Sequence, residues 1–134
     1  MTGMLSDIKI LDLTTFLSGP YCTMILADMG AEVIKIEAPG TGCGTRQTPP
    51  FINGESAYFM SLNRGKKSLT LNLKSEEGKK IFFQLASKAD VLVENFRPGV
   101  MKRLGFDYET VSRLNPKVIY ASISGFGNTG PYRE

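Results

Sequence analysis

Short apolar runs alternate with helical patterns in the first third of the chain. Residues 8–13 and 32–36 are rich in Ile, Leu and Val, and each run predicts a short strand. Between them, residues 21–29 carry apolar side chains at helical spacing, and Gly30 follows where a helix end favours positive φ. Because a strand, a helix and a strand form a crossover unit, we expect the two strands to be parallel.

The same alternation continues through the rest of the sequence. Residues 68–74 alternate between apolar and polar side chains, which is the period of a half-buried strand. Ser75 is a predicted N-cap of the helix that follows. Further strands are predicted at 91–93 and 118–123, and further helices at 56–62, 100–104 and 108–114. The predicted fold class is therefore α/β, an open parallel sheet with helices on both faces, in a single domain.

Ligands of such sheets bind at the carboxyl ends of the strands, so the loops that follow strands are the candidate functional segments. One of them, residues 37–53, is rich in Gly and Pro, and loops of this length inside a domain are usually functional or mobile. The other loops are residues 14–18, Lys74, 95–99 and 125–130.

Composition narrows the chemistry that these loops can support. The chain has 134 residues, a formal net charge of +3 and no His or Trp. Without His, these residues form no Ser-His-Asp triad, no Cys-His pair and no His-ligated metal site. Cys22 and Cys43 form no CxxC motif, so we expect no metal and favour a reducing, cytoplasmic environment. The mild basicity suits small anionic ligands rather than nucleic acid, and no apolar stretch is long enough to span a membrane.

A glycine-rich stretch near the end of the chain allows two interpretations. Gly125, Phe126 and Gly127 begin a G-x-G-x-x-G match after the last predicted strand. Pro131 follows the match directly, and no acidic residue stands at the downstream position that a dinucleotide site requires. A flexible loop with positive φ at several positions is therefore favoured over a dinucleotide site.

A basic turn and a strand aspartate are further candidates. Arg64, Lys66 and Lys67 surround Gly65, and such a turn either holds a phosphate by charge and backbone N–H groups or is simply solvated. Asp12 lies between two leucines of the first predicted strand. A carboxylate in that position is either a functional group or, more commonly, an acceptor of hydrogen bonds from nearby backbone groups.

Five segments, in this order, resemble the family III CoA-transferases, the group that contains formyl-CoA and carnitine CoA-transferases. The first consists of LDL at 11–13 and SGP at 18–20. The next three are LADMGAEVIKIE at 26–37, NRGKKSL at 63–69 and ADVLVENFRPG at 89–99. The last consists of LNP at 114–116 and SISGFG at 122–127. The segments cover almost the whole chain in register, which makes the match more specific than any single motif. The resemblance implies a Rossmann-like N-terminal domain, residues 1–134, that binds coenzyme A at its strand ends.

Residue matching implies a coenzyme A site at nine positions. They are Phe16, Leu17 and Ser18 near the reacting end, Leu71 and Lys74 at the nucleotide end, and Asn95, Phe96, Val100 and Arg103 around the adenine and phosphates. Arg64, Lys66 and Lys67 are additional candidate phosphate contacts, and Gly125, Phe126 and Gly127 are assigned to an active-site loop. Two positions depart from the family. Ala38 stands where some members carry Arg, for which Arg46 is the candidate substitute, and Thr15 stands where at least one member has His.

The resemblance also implies a reaction. Members of the family move coenzyme A between carboxylic acids, without metal, through an aspartyl-CoA thioester formed on an Asp nucleophile. That Asp is expected beyond Glu134, so this chain is expected to supply the CoA-binding part and to be inactive alone. The expected partners are acyl-CoA and carboxylic acid substrates and a second copy of the chain, because family members form interlocked homodimers.

Two alternatives to a transferase stay open. One is a non-catalytic module that binds coenzyme A or a nucleotide, such as one half of a split enzyme. The other is a branch similar to the α-methylacyl-CoA racemases, whose proton-transferring residues would also lie beyond this chain.

Overall fold

Five strands form a parallel sheet, and two further strands form a short antiparallel hairpin. The computed structural model describes residues 3–133. The strands are β1 (Lys9–Asp12), β2 (Glu32–Glu37), β3 (Phe51–Ile52), β4 (Glu55–Ser56), β5 (Lys67–Thr70), β6 (Val91–Glu94) and β7 (Ile119–Ser122). The helices are α1 (Ser18–Asp28), α2 (Ala57–Asn63), α3 (Glu76–Ala86), α4 (Val100–Leu104) and α5 (Tyr108–Leu114), with a 3₁₀ turn at Gly44–Gln47. The sheet order is β5-β2-β1-β6-β7 with every pair parallel, so the predicted α/β class is confirmed.

The two faces of the sheet bury separate apolar clusters. On one face, Phe82 of α3 and Phe106 are fully buried with ring centroids 4.0 Å apart, and they belong to a cluster that includes strand residues such as Leu92. Burying each such ring contributes about 1.5–3 kcal/mol. On the other face, Ala27 of α1 packs on a cluster that includes Val33. Helices therefore cover both faces, as predicted.

Local chemistry explains where two of the helices begin. The Ser75 hydroxyl accepts a hydrogen bond from the Gly78 N–H at 3.0 Å, and the Asp107 carboxylate accepts one from the Thr110 N–H at 3.1 Å. Gly78 occupies the position where a capping box would carry Glu. A Cβ at this position would overlap the Asn72 carbonyl oxygen, so the close approach of the chain requires glycine.

Two boundaries differ from the prediction by more than one residue. Helix α1 begins at Ser18, three residues before the predicted start, because Pro20 lies in the first helical turn, where its missing N–H has no intrahelical partner to lose. Strand β5 ends at Thr70 rather than Lys74. The Asn72 side chain accepts a hydrogen bond from the Lys74 N–H at 3.0 Å and closes a turn there, which ends the strand.

The segment predicted as the long loop 37–53 contains regular structure. It includes the 3₁₀ turn, an isolated antiparallel bridge between Ala38 and Gly42, and strand β3, which pairs with β4. Strands of two residues have no readable period, which is why the sequence pattern does not reveal them. The segment is folded against the end of the sheet rather than being an open loop.

Candidate functional site

The strand order places a crevice between β1 and β6. From β1 the chain moves outward through β2 to β5, and it then returns to place β6 on the other side of β1. In doubly wound sheets, ligands bind outside the strand ends where the direction reverses. At this point Asn95 joins the two loops, because its Oδ1 accepts from the Thr15 N–H at 2.8 Å and its Nδ2 donates to the Thr15 carbonyl at 2.7 Å. The loops after β1 and β6 are therefore fixed relative to each other.

Each of the strands β1, β2 and β6 ends in a buried carboxylate: Asp12, Glu37 and Glu94. Each carboxylate accepts a hydrogen bond from a backbone N–H of its own loop. The donors are Thr14 to Asp12 at 2.8 Å, Cys43 to Glu37 at 2.7 Å and Phe96 to Glu94 at 2.9 Å. These three acids hold the loops in place, and this is a feature that the sequence analysis missed for Glu37 and Glu94.

Asp12 is the centre of a buried polar network. Its Oδ2 accepts from the Thr23 hydroxyl at 2.6 Å and from the Lys66 ammonium at 3.0 Å, and Lys35 Nζ lies 3.9 Å from its Oδ1. Burial lowers the pKa of Lys66, while attraction to Asp12 opposes that shift. The interpretation of Asp12 as an acceptor of nearby hydrogen bonds is confirmed, and its carboxylate is fully enclosed.

Glu37 fixes the segment that follows β2. Arg46 donates to both of its oxygens, with Nε at 2.7 Å from Oε2 and Nη2 at 2.8 Å from Oε1. Hydrogen bonds from Arg46, acting against burial, and further bonds from Ser68 and the Cys43 N–H lower the pKa of Glu37 to about 2. The Arg46 guanidinium also lies 3.8 Å from the centre of the Phe59 ring. Arg46 is thus engaged within the protein, and the structure gives no support to its role as a phosphate contact.

A cleft of about 430 Å³ opens at the ends of β1, β2 and β5. Three residues of the predicted coenzyme A site line it: Leu71, Lys74 and Phe96. Its wall is mostly apolar, and Leu104 is one of the contributors that the sequence analysis did not select. The Lys74 ammonium has no hydrogen bond or ion pair with any residue in the described range 3–133. An apolar cleft beside a cation suits a ligand that carries both a flat apolar group and an anion.

Cys43 adds a thiol to the wall of this cleft. Its sulfur lies 3.4 Å from the Thr15 hydroxyl and 3.0 Å from the Thr45 hydroxyl. Burial acts to raise the pKa of the thiol, but these hydrogen bonds outweigh it, and the pKa lies below its ordinary value. The only sequence signal for Cys43 is its place in the segment after β2.

Four other predicted positions, Phe16, Leu17, Val100 and Arg103, do not line the cleft. Phe16 and Leu17 are exposed at the end of the β1 loop. Val100 and Arg103 lie on α4, and Arg103 Nη1 passes close to Gly99, whose φ is +82°.

The remaining predicted residues lie in the segments that follow β1, β6 and β7. Ser18, Asn95 and Gly125 line a second cavity of about 420 Å³, to which Phe96 also contributes. Phe126 is exposed, with its ring centroid 5.9 Å from that of Tyr132, and Gly127 has a φ of +81°. Positive φ in this loop agrees with the favoured interpretation of a glycine-dependent turn.

The basic turn does not reach the cleft. Lys66 is buried, and besides Asp12 its ammonium bonds the Pro20 carbonyl and the Asn63 side chain. Arg64 pairs with Asp28 at 2.6 Å, and Lys67 pairs with Glu32 at 2.6 Å, at the opposite end of the strands. The structure therefore gives these three cations protein partners instead of a shared phosphate site.

No group of three or more His, Cys, Asp or Glu side chains within residues 3–133 is arranged to hold a metal ion. In the same part of the chain, none of the helices has the length and apolar character needed to cross a membrane.

Comparison with known proteins identifies the family. A family model described as CoA-transferase family III matches residues 5–134. The chain belongs to this family. It is 54% identical over 129 residues to the acetyl-CoA:oxalate CoA-transferase of Acetobacter aceti, covering 96% of this chain and 33% of that protein. It is 51% identical over 131 residues to the human succinyl-CoA:glutarate CoA-transferase, covering 97% of this chain and 30% of that protein.

Solved structures of related proteins share the fold. A CAIB/BAIF family protein from Brucella suis superposes with a TM-score of 0.94 and 42% identity, covering 100% of this chain and 36% of that one. The family resemblance and the α/β class predicted from the sequence are both confirmed. The chain spans about a third of the length of the curated relatives that it matches.

Proposed function

We propose that this protein belongs to an enzyme that moves coenzyme A between carboxylic acids, and that residues 1–134 form its N-terminal CoA-binding domain. The observation that carries the proposal is the apolar cleft at the carboxyl ends of β1, β2 and β5, with Lys74, which has no ion pair within residues 3–133, on its lining. Membership of CoA-transferase family III supports a CoA thioester as the substrate. The names of the relatives support transfer to and from carboxylic acids.

The chemistry of coenzyme A matches the cleft and its surroundings. Its adenine is a flat ring that Phe96 and Leu71 can contact, and its 3′-phosphate and diphosphate need cations. Lys74 and Arg103 form no ion pair with the residues described, so both are available to phosphate oxygens. Asn95 is committed to Thr15, and we assign it the role of holding the β1 loop beside the ligand.

Transfer of coenzyme A requires a nucleophilic carboxylate, since a carboxylate can both attack a thioester and leave again. None of the five aspartates lines the cleft. Four of them have structural partners: Asp12 in its buried network, Asp28 with Arg64, Asp90 with the Lys9 N–H and Asp107 as a helix cap. We therefore assign the aspartyl-CoA step to an Asp outside these 134 residues and expect no turnover from this chain alone.

Titration calorimetry with coenzyme A tests the binding proposal. Phe96→Ala and Arg103→Ala are each expected to weaken binding about fivefold to tenfold, because each removes one ligand contact worth about 1–1.4 kcal/mol. Lys88→Ala removes an exposed cation just after α3 and is the control that keeps the affinity of the unmodified chain. If both site variants bind coenzyme A as tightly as the control does, the coenzyme A site lies elsewhere. Transfer of CoA by the purified chain would contradict the assignment of the nucleophilic Asp to a position outside these 134 residues.

The homodimer is proposed on the family resemblance alone, and the cytoplasmic location is proposed on the two free cysteines, Cys22 and Cys43. The proposed binding partners are acyl-CoA and carboxylic acid substrates, and neither nucleic acid nor a membrane is among them.

A further inference from the structure

Lys35 is a buried cation that shares the Asp12 carboxylate with a second buried cation. It lies on β2 opposite Asp12 of β1, and only 1% of its surface is exposed. Lys66 already pairs with Asp12 at 3.0 Å, whereas the Lys35 ammonium lies 3.9 Å away, beyond hydrogen-bond distance. Burying a charge costs free energy unless it is paired and hydrogen-bonded. The position of Lys35 therefore needs a reason other than the neutralisation of Asp12.

The hydrogen bond that Lys35 makes goes to the loop after β1. Its ammonium donates to the Thr14 carbonyl oxygen at 2.7 Å. The N–H of the same peptide group belongs to Thr15, and it donates to Asn95 Oδ1 at 2.8 Å. Because the C=O and N–H of a trans peptide point in opposite directions, this group is held from both sides. Lys35 of β2 holds its oxygen, and Asn95, which follows β6, holds its nitrogen.

The held peptide stands directly before a residue with an unusual backbone conformation. Phe16 has a φ of +61°, a region that bulky L residues rarely adopt. Such a conformation persists only when the surrounding structure holds it in place. The Phe16 side chain is 62% exposed, so its own packing contributes little. The fixed peptide before Phe16 and helix α1, which begins at Ser18, supply the constraint instead.

We propose that Lys35 is a positioning residue for the coenzyme A site, because it fixes the Thr14–Thr15 peptide and with it the course of the chain through Phe16. Thr14 and Thr15 line the cleft assigned to coenzyme A, and Lys35 is not among its lining residues. Lys35 therefore acts on the ligand through the shape of the cleft wall and not by contact. This inference rests on the proposed function, since it takes coenzyme A as the ligand of the cleft.

Amide hydrogen exchange measured by NMR tests the fixing of the loop without any ligand. In Lys35→Met, the Thr15 amide is expected to exchange about tenfold faster, relative to the Leu13 amide, than in the unmodified chain. The Leu13 N–H bonds the Val93 carbonyl at 2.9 Å within the sheet. Lost stability of the whole fold would accelerate exchange at Leu13 as well, so the ratio of the two rates reports the loop alone.

Lys66→Met is the matched control, because it removes the other ammonium of the same network and leaves the Thr14 carbonyl with its donor. The ratio of exchange rates should not rise in this variant. In titration calorimetry, Lys35→Met is expected to bind coenzyme A about fivefold to tenfold more weakly, whereas folded Lys66→Met keeps the affinity of the unmodified chain. Lys35→Met leaves Asp12 paired with Lys66, so this variant is expected to fold.

The outcomes separate this inference from the proposed function. If the unmodified chain does not bind coenzyme A, the proposed function fails, and the assignment of Lys35 to a coenzyme A site fails with it. If coenzyme A binds but Lys35→Met changes neither the exchange ratio nor the affinity, or changes only one of them, the inference is wrong while the proposed function stands. Equal losses of affinity in the two variants would also overturn it. If circular dichroism shows that Lys35→Met does not fold, Lys35→Gln, whose side chain is one atom shorter, replaces it with the same expected results.

Discussion

Lys66→Met is expected to destabilise the protein by about 3–5 kcal/mol, even though Met is apolar and similar in length. The Lys66 side chain is 1% exposed, and its ammonium bonds Asp12 at 3.0 Å, the Pro20 carbonyl at 2.8 Å and the Asn63 amide oxygen at 3.0 Å. Removing one partner of a buried ion pair typically costs about 3–5 kcal/mol, because the remaining charge stays buried. The two neutral acceptors left unpaired add to this cost, and the apolar surface of Met offsets part of it.

Urea denaturation followed by circular dichroism measures the effect. With a denaturant slope of about 2 kcal/mol per molar, the loss corresponds to a midpoint lowered by roughly 2 M. Lys67→Met is a close control, since the next residue along the chain carries the same charge but pairs with Glu32 at the surface. Exposed ion pairs contribute little to stability, so this variant should unfold at nearly the same urea concentration as the unmodified protein.

Equal midpoints for the two variants would refute the reasoning, because they would show that the buried ammonium does not support the fold. Coenzyme A affinity separates the structural role from the phosphate role predicted from the sequence. Folded Lys66→Met protein should bind coenzyme A as the unmodified chain does. A stable variant that loses affinity would instead restore the basic turn as a ligand contact.

Two further predictions concern the loops at the strand ends. The pKa of Glu37 lies at about 2 against an ordinary value of 4.5, so its ionised form stabilises the fold fully above about pH 4.5 and progressively less as the pH falls toward 2. Urea denaturation should therefore show that the free energy of unfolding falls by about 2 kcal/mol between pH 5 and pH 3, and that it falls less in Glu37→Gln. The same fall in both proteins would contradict this reasoning. Asn95→Asp keeps the acceptor for the Thr15 N–H but faces the Thr15 carbonyl with a carboxylate oxygen, and it should cost about 1–3 kcal/mol and weaken coenzyme A binding severalfold. Asn128→Asp, in an exposed loop, is its control, and calorimetric affinities equal to those of the control would count against the role of Asn95.

The sheet could be predicted because its signals are local. The run at 32–36 is β-branched and matches β2, which begins at the same residue. Ser75 could be predicted as a helix cap, since a side-chain oxygen two or three residues before free N–H groups acts over a single turn. Parallel pairing followed from the alternation of strands with helices.

The burial and the interaction partners of the charged residues could not be predicted, since they depend on contacts between positions that are distant in the sequence. Lys66 reaches Asp12 across 54 positions of sequence, and Asn95 reaches Thr15 across 80. A turn with three cations has the same sequence whether it is solvated, binds phosphate or buries one ammonium. Which of these occurs depends on where the fold places a carboxylate and how much water it excludes.

The hydrogen bonds of Glu37 have a consequence for how the ligand-facing surface can evolve. Glu37 holds Cys43 and Arg46, so the intervening stretch, residues 38–41, is exposed and tied at both ends without taking part in the core. Substitutions at Ala38, Pro39 or Thr41 can alter the charge offered to a ligand while leaving the unfolding free energy almost unchanged, whereas Gly40 has a φ of +78° that favours glycine. The family resemblance implies that Ala38 stands where some members carry Arg, and a difference of this kind changes the ligand contact without changing the stability of the fold.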